Sequence, residues 1–172
     1  MGDRSGPRRL LIVFQSRSGG TQSLVDATER GARLAVAQSS GPQSSGAQSS
    51  GDTTLEVKHA FDTLPEDVLA ASALIIATPA NFGYMSGAVK DFFERIYHPC
   101  LEETASMPYA MIVKGDTDVD GAAASVERIA TGMRWREVLP RLCVVGDVTP
   151  DHLDAAFELG ATIAAGLDAG IY

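Results

Sequence analysis

Cysteine is scarce in this chain. Cys100 and Cys143 lie far apart and form no C-x-x-C pair, which excludes a disulfide framework and a cysteine-based zinc site. His59, His98 and His152 are scattered with no metal-ligand spacing, so surface or capping roles are expected and no metal is assigned. Basic charge is in deficit. The formal net charge of −8 argues against a nucleic-acid partner and is compatible with solubility or with docking to a basic protein. No apolar run approaches the about eighteen residues that cross a bilayer, so no membrane partner is expected. Met1 to Arg9 is short and polar with no signal-like segment after it, which points to the cytoplasm. There is no G-x-G-x-x-G, hence no Rossmann dinucleotide site. Cys100 has Ala105 five residues on and Ser106 after it, so the C-x5-R phosphate loop of small phosphatases is missing. The first apolar run ends in Gln15-Ser16 without the paired acids of a response regulator.

What is present is alternation. Leu10 to Phe14, Ala73 to Ala77, Ala110 to Val113 and Leu142 to Val145 are continuous apolar runs, as expected of strands covered on both faces. Thr54 to His59 alternates weakly and reads as an edge strand. Between them come helical patterns. Leu24, Ala27, Gly31, Leu34 and Ala35 share one face of a helix over Thr21 to about Ala37. Pro65 and the acids around it open a short helix ending near Ser72. Val89, Phe92, Phe93, Ile96 and Tyr97 mark a third, ending near His98-Pro99, and Val126, Ile129, Ala130 and Met133 a fourth. The fifth starts at Thr149-Pro150 and carries Leu153, Phe157, Gly160, Ile163, Ala164 and Leu167. Five strands alternating with five helices predict a doubly wound α/β domain with a parallel sheet over residues 1–172. Residues 38–52 contain three Gln-Ser-Ser-Gly copies. They are expected to be a flexible insert between helix 1 and strand 2.

In such a fold ligands bind beyond the carboxyl ends of the strands. Three loops converge there. Ser16-Arg17-Ser18-Gly19-Gly20-Thr21 joins strand 1 to helix 1. Taken locally it fits either a phosphate cradle, with glycines, hydroxyls and a helix N-terminus, or a Ser/Gly-rich turn with a cap. Thr78 to Tyr84 is expected as a loop after strand 3, and Lys114 to Asp120 as a loop after strand 4. Asp116, Asp118, Asp120, Gly121 and Glu127 satisfy a D-x-D-x-D-G-x5-E calcium pattern, but a buried strand rather than a helix precedes it.

Two of these loops resemble those of flavodoxin-like flavoproteins. Ser16, Ser18, Gly19 and Thr21 fill the fixed positions of [ST]-x-[ST]-G-x-T. The stretch from Thr78-Pro79 through Gly83 and Ser86-Gly87 to Lys90 and Phe92 is similar to a segment of NAD(P)H-dependent FMN reductases and quinone oxidoreductases. The resemblance implies a three-layer sandwich with a five-stranded sheet in the order 2-1-3-4-5. It implies FMN, with its phosphate held by Ser16, Arg17, Ser18, Gly19, Gly20 and Thr21. Arg17 either screens the phosphate or stands solvated, and Gln22 is a further donor. Pro79, Ala80, Asn81, Phe82, Gly83 and Tyr84 would border the flavin ring, with Phe82 or Tyr84 against it or against a subunit partner. Lys114, Gly115 and Asp116 would form the third wall. Lys114 either offsets charge near the reduced flavin or keeps its amine in water. That loop lacks the aromatic that electron-carrier flavodoxins stack on the flavin. An open face of this kind admits NAD(P)H as donor and a quinone, flavin or other small-molecule acceptor. The alternative is an electron carrier docking on a basic partner. A homodimer or homotetramer is also implied. The cofactor would carry the chemistry, so no catalytic acid, base or nucleophile is assigned.

Overall fold

The computed structural model describes residues 7–39 and 53–172, so the insert expected at 38–52 lies, beyond Ser39, outside the described residues. The chain runs β1 (Arg9–Phe14), α1 (Gly20–Ser39), β2 (Thr54–His59), a 3-10 turn (Ala60–Asp62), α2 (Pro65–Ala70) and β3 (Ala73–Asn81). It continues with β4 (Tyr84–Met85), α3 (Gly87–Cys100), β5 (Pro108–Gly115), α4 (Asp120–Gly132), β6 (Arg136–Glu137), β7 (Leu142–Val145) and α5 (Pro150–Asp168).

The sheet order is β2-β1-β3-β5, with β6 and β7 both on the outer edge of β5. All pairings are parallel except the β3–β4 hairpin. This is the predicted doubly wound α/β order with two corrections. The fifth strand is split. β6 pairs with Pro108 and Tyr109, β7 with Ile112 to Gly115, and Pro140 lies between, where it cannot donate to a ladder. The second correction concerns Thr78 to Tyr84, which is a hairpin and not a loop: β3 continues to Asn81, and Asn81 pairs with Tyr84. Gln38 and Ser39, expected in the insert, form the last turn of α1, and the Ser39 hydroxyl donates to the Ala35 carbonyl at 3.1 Å.

Successive strand residues point to opposite faces. Leu11, Val13, Leu74, Ile76, Met111 and Val113 face α2, α3 and α4. Leu10, Ile12, Ile75, Ala77, Ala110, Ile112 and Val144 face α1 and α5. β1, β3 and β5 are buried on both faces, which is why they read as continuous apolar runs. β7 departs from that expectation, because as an edge strand it leaves Leu142 and Cys143 half-buried and Val145 52% exposed. The edge strand β2 is only half-buried, and its polar residues pair outward. Glu56 bonds Arg9, and the Lys58 ammonium lies 2.6 Å from the Asp67 carboxylate. Among the described residues, no helix is long and apolar enough to cross a membrane.

Candidate functional site at the carboxyl end of the sheet

The first wall is the β1–α1 loop. Gln15 extends the ladder by donating to the Ala77 carbonyl, and the chain then leaves the sheet. The Ser16 hydroxyl accepts from the Gln22 backbone N–H at 3.1 Å, capping α1. Gly19 has φ +91°, a conformation that glycine adopts without steric penalty. Its carbonyl accepts from the Ser23 N–H at 2.9 Å and the Ser23 hydroxyl at 3.1 Å. Between these anchors, the N–H groups of Arg17, Ser18, Gly19, Gly20 and Thr21 donate to no protein group among the described residues. Arg17, Ser18 and Gly19 are exposed, whereas Thr21 is 2% exposed. Five free N–H groups at a helix N-terminus, with hydroxyls beside them, fit a phosphate group. The Gln22 side chain turns along the helix and donates to Asp26 at 2.7 Å, away from the loop.

The hairpin forms the second wall. Phe82 has φ +54° and Gly83 φ +70°, so both turn residues adopt the left-handed conformation of a tight two-residue hairpin. Phe82 is fully exposed, at 104%, and Tyr84 is 44% exposed. Pro79 is buried, past the end of β1 and opposite Lys114. Ala80 and Asn81 are half-buried. The hairpin is rigidly seated. A Cβ added at Gly121 would lie 2.1 Å from the Gly83 carbonyl oxygen, and one at Gly115 would lie 2.9 Å from Ala80. The Met85 N–H donates to Ser125, and the Ser86 N–H to the buried Thr78 hydroxyl at 3.0 Å.

The β5–α4 loop forms the third wall. Lys114 and Gly115 belong to β5 itself. The Lys114 ammonium donates to the Asp116 carboxylate at 2.6 Å; the lysine side chain is 14% exposed and that of Asp116 88%. The amine is therefore neither free in water nor unpaired. The Lys114 stem crosses the start of α1, with Cε and Cδ 3.1 and 3.3 Å from the position of a Cβ at Gly20. Asp118 caps α4, accepting from the Asp120 N–H at 3.1 Å.

The structure thus brings the first wall against the third at Gly20 and Lys114, and the second against the third at Gly83, Gly115 and Gly121. A fourth segment, residues 146–149, also reaches this end: Val148 Cγ2 lies 3.6 Å from the Gly20 Cβ position. Its sequence signal is Gly146-Asp147 directly after the apolar run Leu142 to Val145, as Gly115-Asp116 comes at the end of β5.

The calcium pattern is dispersed. Asp116 holds Lys114, Asp118 caps α4, and Glu127 pairs with Arg141 at 3.1 Å. Among the described residues, no three His, Cys, Asp or Glu side chains converge. His59 accepts from the Phe61 N–H and His152 from the Thr149 N–H, both as capping groups. Burial pushes the Cys100 thiol up to about 11 and raises that of Cys143, so neither is a thiolate nucleophile at neutral pH.

No protein-family model matches the chain. A flavodoxin of Aquifex aeolicus (strain VF5) is 27% identical over 88 residues, which is 51% of this chain and 40% of that protein's length. A flavodoxin from the domain Archaea superposes with a TM-score of 0.74 at 15% identity, covering 92% of this chain and 98% of that one. A WrbA-like flavodoxin from Agrobacterium tumefaciens gives 0.68 at 16% identity, over 94% and 98% of the two chains. The rubredoxin oxygen:oxidoreductase of Desulfovibrio gigas gives 0.74 at 13% identity, over 97% of this chain but 38% of that one. The strand order, the two helical layers and these superpositions agree on one architecture, and the fold of this chain is flavodoxin-like.

Proposed function

We propose that this chain binds FMN at the carboxyl end of the sheet and serves as an electron carrier between protein partners. The observation that carries the reading is the set of five unengaged backbone N–H groups from Arg17 to Thr21 at the N-terminus of α1. They would hold the FMN phosphate, with Ser18 and Thr21 adding hydroxyl donors. When bound, FMN supplies the redox chemistry through its ring system. Pro79 to Tyr84 and Lys114 to Asp116 border the space where that ring would rest. Phe82, fully exposed at the tip of the hairpin, offers it an aromatic wall.

Two observations favour a carrier. The curated relative is named a flavodoxin, as are several of the solved structures with this fold. Exposed Asp116, Asp118, Asp120, Asp147 and Asp151 give this end an acidic rim, suited to a basic protein partner.

A second reading is an FMN-dependent oxidoreductase that takes electrons from NAD(P)H and reduces a quinone or other small molecule. One observation favours it: residues 114–120 contain no aromatic to cover the outer ring face. In that reading the exposed Phe82 and Tyr84 would meet a second subunit in a homodimer or homotetramer. Either activity fits a single domain in the cytoplasm.

The absorbance spectrum of the protein reconstituted with FMN, followed by dialysis, tests the cofactor. Retention of the flavin bands is expected, and their loss would remove both readings. Steady NADH or NADPH oxidation with an added quinone separates the second reading from the first.

A further inference from the structure

We propose that Lys114 supplies a positive charge to the anion held by the β1–α1 loop, and that Asp116 competes with the anion for it. The inference rests on the reading of Ser16 to Thr21 as a phosphate cradle. It adds an internal surrogate anion that weakens binding at that cradle.

The placement of Lys114 carries the argument. Its stem lies against Gly20, with Cε 3.1 Å and Cδ 3.3 Å from the Gly20 Cβ position. Gly20 is the first residue of α1, and its N–H is one of the five unengaged donors. Any larger residue there would push the stem aside, so the glycine also makes room for the lysine. At 14% exposure the side chain has little freedom, and its Cε, the carbon that bears the ammonium, lies at the first residue of α1.

Charge balance supplies the need. Asp116, Asp118, Asp120 and Asp147 are exposed around this end, and a phosphate dianion adds to the same sign. The cations on the three walls are Lys114 and Arg17. Arg17 is exposed and makes no ion pair among the described residues, whereas Lys114 is already engaged. Its partner is the replaceable member of the pair. The Asp116 side chain is 88% exposed and regains full hydration on release. The competition is for the charge more than for a donor: Asp116 engages one of the three N–H groups of the ammonium, and its carboxylate offsets the charge that the other two would offer an arriving anion.

The test uses three probes on the full chain: inorganic phosphate, FMN, and riboflavin, which has the ring but no phosphate. Lys114→Gln should weaken phosphate and FMN about tenfold and leave riboflavin unchanged. Lys114→Arg should restore most of the loss and so controls for folding. Asp116→Asn should tighten phosphate and FMN about threefold, an effect that shrinks in high salt. In the Lys114→Gln background that gain should disappear, because the competition has no object.

Three results would overturn the proposal: unchanged phosphate affinity in Lys114→Gln, an equal loss for riboflavin, or an Asp116→Asn gain that persists without Lys114. A parent protein that binds neither phosphate nor FMN removes the cradle reading and this assignment together. Normal binding by the parent with insensitive variants removes this assignment alone.

Discussion

The two faces of the sheet are filled in opposite ways. On the α1 and α5 side the helices meet through their backbones. A Cβ at Gly31 would lie 2.0 Å from the Phe157 carbonyl oxygen, and one at Gly160 2.0 Å from the Thr28 oxygen. On the other side the space is filled by rings. Phe93 and Tyr109 lie 6.0 and 6.2 Å from Trp135, centroid to centroid, and the Trp135 N–H donates to Thr104 at 2.9 Å. The first face has no slack, since backbone cannot yield to an added atom. The second is adjustable through rotamers. The β1–α1 loop hangs on the first face through α1. The hairpin and the β5–α4 loop hang on the second, where larger side chains set the spacing of α3 and α4.

Substitutions at the two faces test this difference. Gly160→Ala should be the most damaging, at about 3 kcal/mol or more by denaturant unfolding, because its methyl group overlaps a backbone carbonyl. It should also weaken FMN binding by shifting α1. Trp135→Phe should cost about 2 kcal/mol through a lost hydrogen bond and a partial void, with FMN affinity kept. If Gly160→Ala were the milder of the two, the rigid-face assignment would be wrong.

Phe82→Gly acts at the tip of the hairpin. It relieves a left-handed conformation that is unfavourable for a ring-bearing residue, so it should stabilise the chain by about 0.5–1 kcal/mol. The same change should lower FMN affinity. A loss of stability instead would mean that Phe82 packs within the chain.

The smallest effect is expected at α2, which closes the ring-filled face through Val68. Burial alone would raise the Asp67 carboxyl, but the Lys58 ammonium, the Leu64 N–H and Arg9 together hold it below the usual carboxylate range. A lowered folded-state value stabilises the fold above the ordinary aspartate range, and the gain is lost as pH falls through the folded value. Asp67→Asn should therefore cost about 0.5 kcal/mol at neutral pH, where the ion pair is partly screened. Thermal melts at acidic pH should show the deficit vanish.

β1, β3 and β5 were legible because both of their faces are buried, which erases the alternation of a half-exposed sheet. The fourth apolar run, β7, was expected to be covered in the same way but is an edge strand with Val145 52% exposed. The hairpin was not legible. Its turn is Phe82-Gly83 rather than Asn-Gly or Asp-Gly, and Gly83, beside the left-handed Phe82, rests on the space that Gly121 leaves open. Nor was β6, since Arg136 and Glu137 carry no strand signature and pair with β5 only because its outer edge is vacant there. At the site, the hydroxyls and glycines from Ser16 to Thr21 were legible as a turn from a strand end into a helix, and the structure shows the Ser16 cap and the left-handed Gly19 that such a turn uses. The fate of the acids after Lys114 was not, because their spacing suits a calcium loop equally well.

By itself the sequence determined the alternation of strands and helices, the place of the first loop at a strand end, and the surplus of negative charge. These follow from local periodicity and composition. Only the tertiary structure decided that Lys114, about ninety positions from Gly20 in the chain, lies against it, that Asp116 is its partner, and that Gly83 rests on α4. Such contacts depend on how the sheet brings distant strand ends together, and short-range patterns carry no record of that distance.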